Sequence, residues 1–265
     1  MIAIIGAGKM GEALASGLLR AGVVGPGEIV AAVRRPERAK QLRDGYGIEV
    51  GTAAEATQRA GTLVIAVKPQ DMGALLAEIG PLVSPAKLVI SIAAGIPTAF
   101  ISDRLSGAVP VVRVMSNTPA LVDEAMSVIS PGRHAAEEHL RRAEELLQPV
   151  GKVLRIPEAL QDAATALSGS GPAYVYFLVE AMVDAGILLG MPRSDALEMV
   201  KQAVYGAAKM LRDSGEHPVL LREAVTSPAG TTISAIRELE RHGVRAAVLS
   251  AIEAARDRGR ELGSA

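Results

Sequence analysis

The sequence predicts an α/β protein, with a doubly wound parallel sheet over residues 1–159 followed by an all-α carboxyl-terminal domain over 160–265. Three observations predict it: short β-branched runs alternate with helical patterns, a GxGxxG pattern follows the first run, and strand signals stop after Pro157. Of the 265 residues 49% are hydrophobic and 22% charged, which excludes disorder and fits one large or two modest domains. With 28 Lys and Arg against 29 Asp and Glu, no basic field draws the chain to nucleic acid or an anionic membrane, so small molecules and other proteins are the expected partners. The absence of Cys removes disulfides, thiolate nucleophiles and iron–sulfur clusters. His134, His139, His217 and His242 are too scattered for metal ligation, so they are assigned surface or capping roles and no metal site is expected.

Neither a basic leader nor a long apolar core precedes the first strand, so the expected location is cytoplasmic. Strands are predicted at 2–5, 29–33, 47–50, 62–67, 87–92 and 110–115, with 125–130 and 152–156 completing the domain. Between the first two, Met10, Leu14 and Leu18 recur at helical spacing, and a charged helix is predicted around 135–147. Residues 102–105 are too short to assign. Crossovers between parallel strands should be right-handed. Helices are then predicted at 160–168, 172–190, 193–213, 218–225, 228–241 and 243–262, divided by Gly, Pro and Ser punctuation. The most apolar stretch, 173–191, carries Glu180 and Asp184 and ends at Pro192, which argues against a membrane span. Helices from 172 to 213 are apolar on nearly every side, so they are predicted to pack against a second subunit.

Gly6-Ala7-Gly8-Lys9-Met10-Gly11 joins the first strand to the first helix, the context that gives GxGxxG its meaning as a Rossmann dinucleotide loop. Gly6 would make the tight turn, Gly8 admit a pyrophosphate and Gly11 allow close helix–strand packing, while the helix N-terminus supplies free N–H groups. At the end of the second strand an NAD site normally carries Asp or Glu. Here the chain reads Val33-Arg34-Arg35-Pro36, so Arg34, helped by Arg35, is predicted to clamp a ribose 2′-phosphate and NADP(H) to be the cofactor, with NAD(H) as the alternative. Solvated loop arginines are the competing reading. Ala66-Val67-Lys68-Pro69 and Ala93-Ala94 lie at carboxyl ends of strands, where open α/β sheets bind ligands, and are predicted to contact the cofactor. Lys68 fits local structure or a phosphate-side contact better than catalysis. Asn117, in the turn Met115-Ser116-Asn117-Thr118-Pro119, suits a contact to cofactor or substrate, and turn stabilisation at least as well.

In the helical half, Ala224-Val225-Thr226-Ser227-Pro228-Ala229-Gly230-Thr231-Thr232-Ile233 reads as a helix start with Ser227 at the N-cap and Pro228 in the first turn. Gly230 stands where a capping box places Glu or Gln, so the first N–H groups stay available to an anion among the hydroxyls of Ser227, Thr231 and Thr232. A small carboxylate suits such a site; an ordinary N-cap with spare threonines suits the residues as well. Ser168-Gly169-Ser170-Gly171-Pro172 reads as a connection and cap, and the like charges of Glu180 and Asp184 as an interface rim.

Taken together, GAGKMG, AVKP, SIAAG, NTPA, LSGSGPAYVY, GAAKML and above all VTSPAGTT resemble the pyrroline-5-carboxylate reductases over almost the whole chain. The resemblance implies hydride transfer from NAD(P)H to the imine carbon of 1-pyrroline-5-carboxylate, giving L-proline, the last step of proline biosynthesis. It implies a helical dimerisation domain with interleaved helices and a homodimer or ring of dimers. It further implies that the backbone around Val225 and Gly230 and the Ser227 hydroxyl hold the substrate carboxylate, that Thr231 helps through its N–H, and that Thr232 hydrogen-bonds the ring nitrogen as the catalytic residue. Ala53 and Ser116 depart from the Asn and Pro that many members carry there. A 3-hydroxyacid-type dehydrogenase would carry a catalytic Lys and Asn within 169–181, where this chain has neither, and a non-catalytic NADP sensor would not need the Ser and Thr hydroxyls.

Overall fold

The structure is a computed structural model and describes residues 1–264. Its first half is an eight-stranded sheet in the order β3-β2-β1-β4-β5-β6-β7-β8, built from β1 (Ile2–Ile5), β2 (Ile29–Ala32), β3 (Glu49–Gly51), β4 (Thr62–Ile65), β5 (Leu88–Ser91), β6 (Val111–Met115), β7 (Ala125–Pro131) and β8 (Gly151–Arg155). All neighbours run parallel except β6 and β7, which are antiparallel. Every predicted strand is present. The fourth ends earlier than expected, leaving Ala66 and Val67 in the loop beyond it.

The central strands are apolar without alternation because both of their faces are covered. Ile2, Ile4, Ile29, Ala31, Val64, Ile90, Val112 and Val114 face one core with α1 (Lys9–Arg20), α2 (Pro36–Tyr46) and α6 (Glu137–Leu147). Ala3, Ile5, Val30, Leu63, Ile65, Val89 and Val111 face the other, with α3 (Ala53–Arg59), α4 (Met72–Ile79) and α5 (Thr98–Ser102). Each fully buried Ile or Leu here contributes about 2 kcal/mol. Helix ends are closed locally: the Thr52 hydroxyl accepts from Glu55 N–H at the start of α3, and Lys87 Nζ donates to the carbonyls of Gln58 and Ala60 at its end. His139 Nδ1 accepts from Ala136 N–H and His217 Nδ1 from Val219 N–H, so both cap helix starts.

The chain divides into compact units at Ser170 and Gly171, with the last stretch from Ala255 counted in the first unit. The sequence places the change of architecture near 160. Beyond Pro157 the chain forms α7 (Gln161–Ala164) and a π-turn (Thr165–Gly169), which carry no β structure yet pack within the first unit. Gln161 is fully buried, its side-chain amide donating to Val128 O and Ser130 Oγ on β7.

The second unit holds α8 (Gly171–Leu188), α9 (Arg193–Ser214), α10 (Pro218–Ala224), α11 (Thr231–Arg241) and the start of α12 (Val244–Ser264). α8 and α9 pack side by side, and Gly186 is the point of approach: a Cβ there would lie 2.7 Å from that of Ala196. Apart from Val183 and Ala196 this unit buries almost no hydrophobic side chain; Tyr176, Phe177, Leu188 and Leu189 are 64–89% exposed. The helical run Glu158–Leu188 is long and apolar enough to cross a membrane by length and composition.

Candidate dinucleotide and carboxylate sites

In the first unit the glycine loop leaves the carboxyl end of β1 next to β4, where the direction of winding reverses and open α/β sheets bind ligands. Gly6 has φ +86°, and a Cβ on it would lie 2.8 Å from Val67 N. It must be glycine on both grounds. Gly11 is held by proximity, its absent Cβ lying 3.0 Å from Ile4 Cγ2. Gly8 has nothing nearer than 3.9 Å to that position and is solvent-exposed, so space is open for a ligand to approach the backbone. Gly8 caps α1 without any side-chain acceptor, leaving the N–H groups of Lys9, Met10 and Gly11 outside the helix ladder; Ala7 is buried behind them. A glycine cradle with open first-turn donors fits a dinucleotide pyrophosphate.

Around the loop, Arg34 and Arg35 are exposed just beyond β2, Arg35 as the N-cap of α2. Arg34 Nη2 lies 2.7 Å from Asp71 Oδ2, on the short turn Pro69–Asp71 beyond β4. The sequence predicts no carboxylate beside Arg34; packing supplies one from a distant segment. Lys68 and Pro69 start this same turn, Lys68 O accepting from Asp71 N–H. Ala93 is buried and Ala94 exposed in the loop after β5, where Gly95 turns the chain at φ +74°. Asn117 is 9% exposed: its Nδ2 donates to Ser168 O at 3.0 Å and its Oδ1 accepts from Met126 N–H at 3.0 Å. Its amide therefore ties β7 to the π-turn.

Arg38, which no sequence motif singles out, lies against the glycine loop. From α2 it donates through Nε to Ala7 O at 3.1 Å and through Nη2 to Gly8 O and the Glu12 carboxylate. Tyr46 Oη donates to the other oxygen of Glu12. The hydrogen bond from Arg38 holds the Glu12 carboxyl below the usual carboxylate range against the opposing effect of burial.

In the second unit the helix predicted from 228 begins instead at Thr231, with Gly230 rather than Ser227 as its N-cap. Residues 227–230 form a tight turn closed by Gly230 N–H donating to Ser227 O at 3.1 Å. Pro228 occupies its second position, where a fixed φ suits a turn as well as a first helical turn. Ala229 takes the third at φ +55°, a left-handed conformation that costs a residue with a Cβ about 1 kcal/mol. The Thr226 hydroxyl donates back to Arg222 O at 2.6 Å and anchors the turn to α10.

The turn lifts Ser227 over the helix end. A Cβ on Gly230 would lie 2.3 Å from Ser227 Oγ, so the glycine makes room for that hydroxyl. The N–H groups of Thr231, Thr232 and Ile233 stand in the first turn of α11, with Ser234 N–H the first to close onto Gly230 O. Among the described residues, the hydroxyls of Ser227, Thr231 and Thr232 have no hydrogen-bond partner. Val225 is 65% exposed beside them. Several neutral donors at the positive end of a helix dipole make a site for a small carboxylate. Among the described residues no group of three or more His, Asp or Glu is placed to hold a metal.

Comparison with known proteins matches both halves. Residues 158–262 match the pyrroline-5-carboxylate reductase dimerisation family, and residues 1–95 the family described as NADP oxidoreductase, coenzyme F420-dependent. The chain is 46% identical over 263 residues to a pyrroline-5-carboxylate reductase of Methanosarcina acetivorans, covering 99% of this chain and 97% of that one. It is 43% identical to one from Corynebacterium melassecola, covering 99% and 98%. Among solved structures, a Coxiella burnetii pyrroline-5-carboxylate reductase superposes with a TM-score of 0.93 at 32% identity, covering 98% and 97%. A Plasmodium falciparum pyrroline carboxylate reductase with NADP bound gives 0.88 at 28% identity, covering 99% and 97%.

Proposed function

The chain belongs to the pyrroline-5-carboxylate reductase family, enzymes that reduce 1-pyrroline-5-carboxylate to L-proline, and we propose how its own residues do so. The observation that carries the reading is the turn at 227–230, which leaves a helix N-terminus, a lifted Ser227 hydroxyl and two further hydroxyls with no hydrogen-bond partner among the described residues. Ser227 Oγ and the N–H groups at the start of α11, that of Thr231 included, receive the substrate carboxylate, with Val225 and Gly230 shaping the turn. The Thr232 hydroxyl accepts a hydrogen bond from the protonated ring nitrogen and so fixes which way the imine carbon faces. A protonated cyclic imine is already electrophilic, so alignment and exclusion of water suffice, which is why no acid–base pair is needed beside it.

Gly6, Ala7, Gly8, Lys9, Met10 and Gly11 hold the dinucleotide pyrophosphate, and Ala66, Val67, Lys68, Pro69, Ala93 and Ala94 line the adjoining strand ends. The nicotinamide dinucleotide, when bound, supplies the hydride. NADP(H) is the preferred form because Arg34 is exposed: its surface pair with Asp71 is worth at most about 1 kcal/mol and yields readily to a 2′-phosphate. Arg34→Ala should raise the KM for NADPH about tenfold and leave that for NADH close to wild type, and equal changes in both would remove Arg34 from cofactor choice. The apolar surface of α8 and α9 is covered by a second copy of the chain, giving a cytoplasmic homodimer or ring of dimers. The membrane alternative for Glu158–Leu188 is disfavoured by Glu180 and Asp184 within the span. The direct test is oxidation of NADPH, then NADH, by the purified protein with 1-pyrroline-5-carboxylate, with chromatographic identification of proline. Absence of turnover with both nucleotides would overturn the reading.

A further inference from the structure

We infer that Arg38 is a positioning residue for the cofactor: it locks the peptide planes after Ala7 and Gly8, so that the N–H groups opening α1 face the dinucleotide's phosphates. The inference rests on the reading of the glycine loop as the pyrophosphate site and names what holds that loop in shape. Loop glycines are the most mobile residues a chain has, and an anion gains most from donors that are already in place. Two of the three loop glycines are fixed by contact, Gly6 against Val67 and Gly11 against Ile4, whereas Gly8 has open space around it. Something other than packing must fix its peptide.

Arg38 does this from one side. Its Nε donates to Ala7 O at 3.1 Å, and its Nη2 lies 3.5 Å from Gly8 O, adding a longer contact to the 2.9 Å hydrogen bond that this carbonyl accepts from Glu12 N–H. Because a trans peptide is planar, a carbonyl held on one side points the following N–H the opposite way. Fixing Gly8 O therefore aims Lys9 N–H away from Arg38 and out of the loop. The guanidinium is in turn held by Glu12 on α1, and Glu12 by the Tyr46 hydroxyl at the end of α2. The Arg38 and Glu12 side chains are only 16% and 27% exposed, so this is a half-buried clamp rather than a solvated pair. With its donors engaged on two carbonyls, the Glu12 carboxylate and the Gln41 side-chain oxygen, Arg38 acts on the phosphate site through the backbone. It is therefore distinct from Arg34, whose exposed guanidinium, paired at the surface with Asp71, is the one assigned to discriminate NADPH from NADH.

The test is the affinity of both nucleotides, read by quenching of their intrinsic fluorescence on binding, for the wild type, Arg38→Ala, Arg38→Lys and Glu12→Gln. Arg38→Ala should weaken NADPH and NADH together, each about tenfold, the size expected when one charge-assisted hydrogen bond stops ordering a binding group. Lysine should not rescue, because one ammonium cannot span two carbonyls and a carboxylate in a plane. Glu12→Gln keeps the shape and releases the charge, so a smaller loss in the same direction is expected, together with faster hydrogen exchange at the Lys9 amide. Loss confined to NADPH would overturn the inference by making Arg38 a 2′-phosphate ligand. A lowered Tm with both affinities intact would overturn it by making the clamp purely structural. A wild type that binds neither nucleotide would bring down the dinucleotide reading itself.

Discussion

Replacing Gly230 with alanine is expected to raise the KM for 1-pyrroline-5-carboxylate about a hundredfold, equivalent to roughly 3 kcal/mol of lost substrate binding, in an enzyme that stays folded. The backbone tolerates the change, since Gly230 sits at φ −77°, ψ 177°, ordinary extended geometry for any residue. What it does not tolerate is the new atom 2.3 Å from Ser227 Oγ and 3.1 Å from Ser227 O. The hydroxyl swings aside at little cost to stability, because Ser227 is exposed, but it leaves the point where a carboxylate oxygen needs it. The methyl group also narrows the approach to the first N–H groups of α11. Ser227→Ala supplies the internal control. Alone it should cost about tenfold, one hydrogen bond to a charged group, and added to Gly230→Ala it should cost far less, because the hydroxyl is already displaced. Steady-state kinetics on the four proteins decide it: a KM for Gly230→Ala equal to wild type would mean that the substrate is not held at this turn.

How much of this is legible in the sequence depends on the distance along the chain over which each feature is determined. The strands Ile2–Ile5, Ile29–Ala32 and Thr62–Ile65 are legible because burial on both faces writes itself as an unbroken apolar run. The glycine loop is legible because its turn, its close approach and its helix start lie within six residues. The start of α11 lies three residues beyond its predicted position because Pro228 satisfies a turn and a helix equally, and the left-handed Ala229 that decides between them carries no signal in an alanine. Arg38 with Glu12, Arg34 with Asp71 and Asn117 with Ser168 are 26, 37 and 51 residues apart, so their pairings exist only once the sheet has assembled. Asn117 shows the consequence. Its place at a strand end suggests a ligand contact as readily as a turn lock, and the hydrogen bonds that make the lock, to Ser168 and Met126, come into view only in space.

Substituting Phe177 with aspartate should convert the assembled protein to monomers at micromolar concentration. The second unit has Val183 and Ala196 as its buried hydrophobic residues, far too little for five helices to stay packed in water on their own. Phe177 is 71% exposed on α8, within a surface that includes Tyr176, Leu188 and Leu189. In the homodimer proposed above, this patch is the core of an interface divided between two copies, in keeping with the match to the dimerisation family. In a twofold dimer a single substitution acts twice. An unpaired carboxylate desolvated in an apolar interface costs about 3 kcal/mol at each site, so the dimer's dissociation constant should rise roughly ten-thousandfold. Light scattering coupled to size exclusion reads the mass directly, and Tm should fall with it, because the helical unit loses the partner that completes its core. A wild type that is monomeric without detergent would sink the proposal, as would a variant that keeps the wild-type mass. The first of these would instead favour an apolar surface that meets something other than a second copy of itself.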